Sequence, residues 1–172
     1  MKMILKIAVT DACIFIDLFD IDLITSFFGL ELEVHTTSGV YFELNNEQQL
    51  VLKAYQSVNK LVIHNLTEND FLEIYSEGYS KSLSETDKSV LHIANKLNAS
   101  VLSSDRTVRN HAKNKSIECH GIIWIFDELV RLGILARKEA SEKLSQLVSL
   151  NYFFQNNKHL MSEIDTRLKA WG

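Results

Sequence analysis

The sequence predicts an α/β fold built on a parallel sheet, and three observations predict it. Short apolar segments with strand character recur along the chain, separated by segments with helical periodicity. The strand candidates run into polar or turn-forming residues. The chain has no proline, so Gly, Asn and Ser clusters mark the element boundaries. In folds of this kind ligands sit beyond the carboxyl ends of the strands, which directs attention to the polar residues placed there.

The elements follow in order. Residues 4–9 (ILKIAV) read as a first strand, bounded by Asp11. A helix is predicted from Ala12 to Phe19, with a possible continuation through Leu23 and Phe27 to Gly29. Leu32–Thr37 alternates and stops at Ser38-Gly39, as a second strand does. Val40–Leu44 is a short helix broken by Asn45-Asn46, and 47–60 is a longer one with Leu50, Val51, Ala54 and Val58 at helical spacing. Leu61–Asn65 is a third strand. Thr67 and Asp70 have the spacing of a capping box, opening a helix to Glu77. Residues 78–84 form a loop. Ser84 and Asp87 repeat the capping pattern, ahead of a helix with the apolar stripe Val90, Leu91, Ala94 and Leu97. Ala99–Leu102 is a strand, 107–115 a polar and basic helix, and 118–120 an edge strand. Apolar residues 122–132 form a helix that Gly133 breaks, and 136–150 and 162–171 complete the helical set.

Composition bounds the function. The chain has 172 residues, of which 46% are apolar, which predicts one domain with a sizeable core. Twenty-two acidic residues against 18 basic ones give a net charge of -4. That excludes binding nucleic acid by bulk positive charge and leaves open an enzyme with a local basic patch and a bound metal. Cys13 and Cys119 are far apart and form no CxxC pair, which argues against a disulfide scaffold or thiolate zinc site. The early apolar run stops at Asp11 before a signal peptide develops, and no run of about 18 apolar residues predicts a membrane span. The expected location is the cytoplasm. Dinucleotide, P-loop, zincin and nucleophile-elbow motifs are all absent.

Four acids carry the chemistry. Asp11 and Asp105 follow strand candidates, Asp87 opens a helix, and Glu43 sits in the apolar run VYFEL. Each has an ordinary alternative: helix caps for Asp11, Asp87 and Asp105, and a solvated helix face for Glu43. Together they can converge over one edge of a parallel sheet. Carboxylates brought that close repel one another unless a cation lies between them. Carboxylate and water are hard oxygen ligands that suit Mg²⁺ or Mn²⁺. After Asp105 come Arg106, Arg109, His111, Lys113 and Lys115, a candidate phosphate-binding patch or an ordinary solvated helix face. Lys88 and His92 share a second face near Asp87, His92 being either a general base or a packing histidine. Aromatic residues cluster at Phe15, Phe19, Phe27 and Phe28, at Trp124 and Phe126, and at Tyr152, Phe153 and Phe154. The first two clusters are expected in the core and the third in packing or a partner groove.

In order along the chain, these segments resemble the PIN domain family of metal-dependent nucleases, which includes the toxin ribonucleases of toxin–antitoxin pairs. Asp11 in AVTDACIFIDLF, Glu43 in VYFELN, Asp87 in LSETDKSVLHIANKLNASVLSSD and Asp105 in VLSSDRTVRNHAKN are similar to the four family acids. Ser103 stands where the family usually has threonine or serine. The segment HGIIWIFDELVRLGIL resembles the glycine-then-helix segment after the last strand. The match spans residues 4–135. It departs from the family at Ala12 and Cys13, where asparagine or serine often follows the first aspartate, and in the additional acids Asp17, Asp20 and Asp22.

The resemblance implies a three-layer α/β/α sandwich around a parallel sheet, with residues 1–172 as a single nuclease domain and 136–172 as a helical extension. It implies Asp11, Asp87 and Asp105 holding Mg²⁺ or Mn²⁺, and Glu43 completing the cluster and orienting the attacking water. Ser103 would hydrogen-bond a ligand or a bound water. Arg106, Arg109, Lys113 and Lys88 would contact nucleic acid. The implied activity is endoribonuclease, as the toxin of a type II pair with RNA as substrate, a cognate antitoxin as partner and a homodimeric state. The alternatives are a catalytically inactive interaction module of the same fold and a DNA-directed nuclease. A receiver-like domain would need a phosphoacceptor aspartate after the third strand, where Asn65 stands.

Overall fold

The computed structural model describes residues 5–172. Ile4, where the first predicted strand begins, lies outside them. The chain forms two compact units. The first comprises the described residues up to Ile16 together with Glu31–Gly121, and the second comprises Asp17–Leu30 with Ile122–Gly172.

The first unit holds a central parallel sheet flanked by helices. Its strands are β1 (Lys6–Thr10), β2 (Leu32–Thr37), β3 (Leu61–His64), β4 (Ser100–Leu102) and β5 (Cys119–His120), in the order β3-β2-β1-β4-β5. Every pairing is parallel, with Ala8 opposite Val34 and Val9 opposite Val101. Ala8, Val9, Val101 and Leu102 have no exposed surface, as strands covered on both faces require. The strand order reverses between β1 and β4, so the chain leaves these neighbours in opposite directions and opens a crevice at their carboxyl ends.

The helices joining the strands are α1 (Ala12–Asp20), α2 (Ile24–Phe27), α3 (Ser38–Glu43), α4 (Asn46–Ser57), α5 (Glu68–Glu77), α6 (Glu85–Leu97) and α7 (Arg106–Asn114). Capping boxes open α5 and α6 at Thr67–Asp70 and Ser84–Asp87, as their sequences predict. The apolar face of α6 lies against β1, β2 and β4, with Val90, Leu91 and Ala94 fully buried.

Two expectations are corrected. The first helix does not continue through Leu23 and Phe27: Asp22, at φ 55°, turns the chain between α1 and α2. Asp tolerates this left-handed conformation better than most side chains. In α4, Leu52 is the buried residue, whereas Leu50 is 72% and Val58 63% exposed. The stripe Leu50, Val51, Ala54 and Val58 faces outward. Among the described elements α4 makes its main contact with edge strand β3, and so narrow a seat buries Leu52 alone along the whole helix.

The second unit contains the end of α1 and all of α2, together with α8 (Ile122–Arg131), α9 (Arg137–Leu150), α10 (Tyr152–Gln155) and α11 (Lys158–Trp171). Gly133, at φ 69°, ends α8 with the left-handed turn the sequence marked. Phe27, Phe126 and Phe154 are buried, and Arg167 pairs with both oxygens of Asp127. In the third aromatic cluster only Phe154 is buried, and Tyr152 and Phe153 are exposed. No helix among the described residues is long and apolar enough to cross a membrane.

Asp17 is buried in this second unit and accepts a hydrogen bond from Asn151 Nδ2 at 3.1 Å. Burial pushes its carboxyl up to about 6, partly opposed by Asn151 and reinforced by Asp20. Between about pH 4 and 6 the folded protein therefore keeps a proton that the unfolded chain has lost. Stability from this group is present below that window and falls as pH rises through it. Asp17→Asn is expected to stabilise the protein by about 2 kcal/mol near pH 8, with the gain vanishing below about pH 4. Urea unfolding across this range checks the outcome, and a pH-independent difference would contradict it.

Candidate active site

Asp11 leaves β1 beside the end of β4. Its amide donates to the Leu102 carbonyl at 2.9 Å, which extends the β1–β4 ladder by one bond and fixes the aspartate at the crevice. Its carboxylate is buried. Oδ1 accepts from the Ala12 amide at 2.8 Å, and Oδ2 accepts from Ser103 Oγ at 2.8 Å. Burial is the main force raising the Asp11 pKa. The Ser103 and Ala12 hydrogen bonds oppose it, and the charges of Asp87 and Glu43 push it further up.

Asp87 lies at the start of α6, where Oδ2 accepts from the Ser84 amide at 2.8 Å. Glu43, at the end of α3, is exposed. Asp105 caps α7, its Oδ1 accepting from the Thr107 and Val108 amides at 2.8 and 3.0 Å. Its own amide donates to Ser103 Oγ at 3.1 Å. One serine hydroxyl thus links Asp11 to Asp105. The capping roles anticipated for Asp87 and Asp105 are both present, and each fixes a carboxylate at a helix start. These four acids form no group with all ligand atoms within 4.8 Å of one another.

This donor set fits a hard divalent ion. Like charges that push the Asp11 carboxyl up favour a cation beside it, and an open spacing suits Mg²⁺, which keeps several waters. Thr10 Oγ1 and Ser104 Oγ, adjacent in sequence to Asp11 and Asp105, are buried without a protein hydrogen-bond partner, so the strand ends are polar beyond their acids. Cys13 completes the surroundings. Its Sγ lies 3.7 Å from both Asp11 Oδ2 and Ser103 Oγ and accepts from the Ser104 amide at 3.4 Å. Sequence marked Cys13 as a cysteine outside any CxxC pair and as a departure from a family pattern, without placing it beside Asp11 and Ser103.

The candidate basic residues separate. Arg109 is exposed and lies over the Ser103 carbonyl, Nη1 donating to it at 3.4 Å. Arg106 and Lys113 are exposed on α7. Lys88 pairs with Glu85 at 2.6 Å. Lys115 pairs with Glu77 at 2.8 Å, and His111 packs on Tyr79 with ring centres 4.8 Å apart. His111 and Lys115 line a separate cavity of 570 Å³ with Glu73, His92 and Lys96.

At that cavity stands a cluster that sequence reasoning missed. Asp70, Glu73 and His92 bring ligand atoms within 4.8 Å of one another, so they have the capacity to hold a divalent metal. The same Asp70 Oδ1 accepts from His92 Nε2 at 2.9 Å and from Lys96 Nζ at 2.8 Å, and Oδ2 accepts from the Thr67 amide and hydroxyl. Lys96, then the Thr67 amide and His92, hold this carboxyl well below the usual range. The Thr67–Asp70 capping box is visible in sequence, but its pairing with His92 and Lys96 arises only when α5 meets α6. Because its pKa is depressed, Asp70 contributes stability that is present above about pH 4 and lost as pH falls further. Asp70→Asn is expected to lower the melting midpoint by about 5 °C at neutral pH. Calorimetry at neutral pH and near pH 3 should show the difference shrinking in acid.

A solved structure of a PilT N-terminus domain protein, SSO1118, from the archaeon Sulfolobus solfataricus P2 aligns with a TM-score of 0.46 and 12% sequence identity. The alignment covers 72% of this chain and 93% of that one. No curated protein matches. The family model described as DUF3368, PIN domain, matches residues 7–167. With nearly all the described sequence inside that match, and a parallel sheet that sets an acidic crevice between β1 and β4, the chain belongs to the PIN domain family.

Proposed function

We propose that the protein is a divalent-metal-dependent endoribonuclease whose reaction centre lies at the carboxyl ends of β1 and β4. The observation that carries this is the buried Asp11 carboxylate, tied to Ser103 and facing the like charges of Asp87 and Glu43. In this assignment Asp11, Asp87 and Asp105 hold Mg²⁺ or Mn²⁺ directly or through water, and Glu43 completes the set. When bound, such an ion offsets the charge that develops on a phosphoryl group and favours ionisation of water. The chain's own groups do the remaining work. Ser103 holds Asp11 in one orientation, Glu43 orients and accepts a proton from the attacking water, and Arg109 meets substrate phosphate beside the acids. Arg106, Lys113 and Lys88 add positive charge along the path of the strand.

The finer assignment is the toxin of a type II pair, neutralised by a cognate antitoxin and acting in the cytoplasm as a homodimer, with residues 136–172 as a helical extension of a single domain. The family resemblance supports it, together with exposed apolar side chains such as Tyr152 and Phe153 that a partner can cover. A protein that arrests growth when expressed alone, with Asp11→Asn relieving the arrest, fits this assignment.

Cleavage of labelled single-stranded RNA in Mn²⁺ or Mg²⁺ tests the reaction. Asp11→Asn and Asp105→Asn, each folded, are expected to lose about 100-fold or more in kcat. Full activity in EDTA, or unchanged rates in both variants, would sink the assignment. Cleavage of DNA in preference to RNA would favour the DNA-directed alternative. Arg109→Ala is expected to weaken RNA binding and reduce its salt slope by about 1.

A further inference from the structure

The β4–β5 ladder continues past its last paired residues, with the Ser103 amide donating to the His120 carbonyl at 2.9 Å. That bond sets Gly121 beside Ser103. A Cβ on Gly121 would lie 2.8 Å from Arg109 Nη1 and 3.8 Å from the Ser103 carbonyl oxygen. Gly121 is not in the left-handed region, which among the glycines is occupied by Gly78 and Gly133. Its backbone therefore tolerates any side chain, and what the position lacks room for is the atom that would meet the guanidinium. The Ser103 residue that receives Arg109 on its carbonyl also donates its hydroxyl to Asp11 Oδ2 at 2.8 Å.

From this geometry we infer that Gly121 is a positioning residue, whose missing side chain makes a notch in which Arg109 docks against the Ser103 backbone, so that this arginine meets the phosphate whose bond is cut. The inference rests on the nuclease assignment above and gives Arg109 a role apart from Arg106 and Lys113. A guanidinium held in place loses little freedom on meeting a phosphate and can engage it with two parallel N–H groups. Its charge then bears on the reacting group as negative charge develops there.

The test compares Gly121→Ala, Arg109→Ala, Arg109→Lys and the Gly121→Ala/Arg109→Ala double variant. The displaced atom is the end of a flexible side chain, so Gly121→Ala is expected to fold with a melting midpoint within about 2 °C of wild type. Its kcat on single-stranded RNA in Mn²⁺ is expected to fall about 10-fold, with the fall in kcat exceeding the rise in KM. The double variant should be no slower than Arg109→Ala alone, because both changes remove one interaction. Arg109→Lys should not restore the rate, since a lysine has no fork to dock. Hydrogen exchange of the Arg109 side-chain N–H groups, followed by NMR without RNA, should be slowed in wild type and fast in Gly121→Ala. A wild-type kcat in Gly121→Ala, additive losses in the double variant, or equally fast exchange in both proteins would each overturn the inference. If the wild-type protein cleaves no RNA, the reaction assignment fails by itself, and the exchange comparison still decides whether Gly121 docks Arg109.

Discussion

Asp11 is held twice at the point where the sheet reverses its strand order. Its amide completes one more rung of the β1–β4 ladder, and its carboxylate is gripped by Ser103 and the Ala12 amide. Much else follows from that double constraint. Burial makes the charge costly, the hydrogen bonds offset part of the cost, and the approach of Asp87 and Glu43 adds to it. A carboxylate placed under such strain is relieved by a cation beside it, which is what the proposed metal site would supply. The rest of the crevice conforms to Asp11. Ser103 must be a hydroxyl residue to reach it, Asp105 hangs from the same hydroxyl, and Arg109 lies on the carbonyl of that residue.

Capping and the proposed metal-holding role are not competing accounts of Asp87 and Asp105. A carboxylate that accepts backbone amides at a helix start has few conformations left, and here the cap fixes where the second oxygen can point. The same local rule explains Asp70, whose capping box at Thr67 aims its other oxygen at His92 and Lys96. The two outcomes differ because of what each helix start faces. The starts of α6 and α7 face the sheet's carboxyl edge, whereas the start of α5 faces the body of α6. There Asp70 gains a lysine as its cation, so the cluster's metal-binding capacity competes with a tethered ammonium.

The basic helix α7 divides along its length for a similar reason. Its first turns lie against β5 and turn Arg109 toward the Ser103 carbonyl. Its last turn meets α5 and α6, where Lys115 pairs with Glu77 and His111 packs on Tyr79. A run of basic residues in sequence therefore becomes two surfaces with separate neighbours.

Much of the fold was legible in the sequence, because strand alternation, capping pairs and glycine stops are local signals. Leu32–Thr37, the capped starts of α5 and α6 and the break at Gly133 depend on residues a few positions apart. The candidate acids were legible for the same reason, as polar residues at strand ends and helix starts. What local pattern cannot carry is direction relative to distant neighbours. The stripe on α4 has helical period but faces outward, since periodicity specifies that one face is apolar and not that the rest of the chain will cover it. The hydrogen bond from Ser103 to Asp11 spans 92 positions, and the pairing of His92 with Asp70 spans 22. The sequence by itself determined the elements, the polar groups at their ends and the family they resemble. Only the tertiary structure decided that Ser103 grips Asp11, that Lys96 occupies Asp70 and that Gly121 leaves room for Arg109. Each of these is a contact between segments far apart in the chain, set by strand order and helix packing rather than by any residue's immediate neighbours.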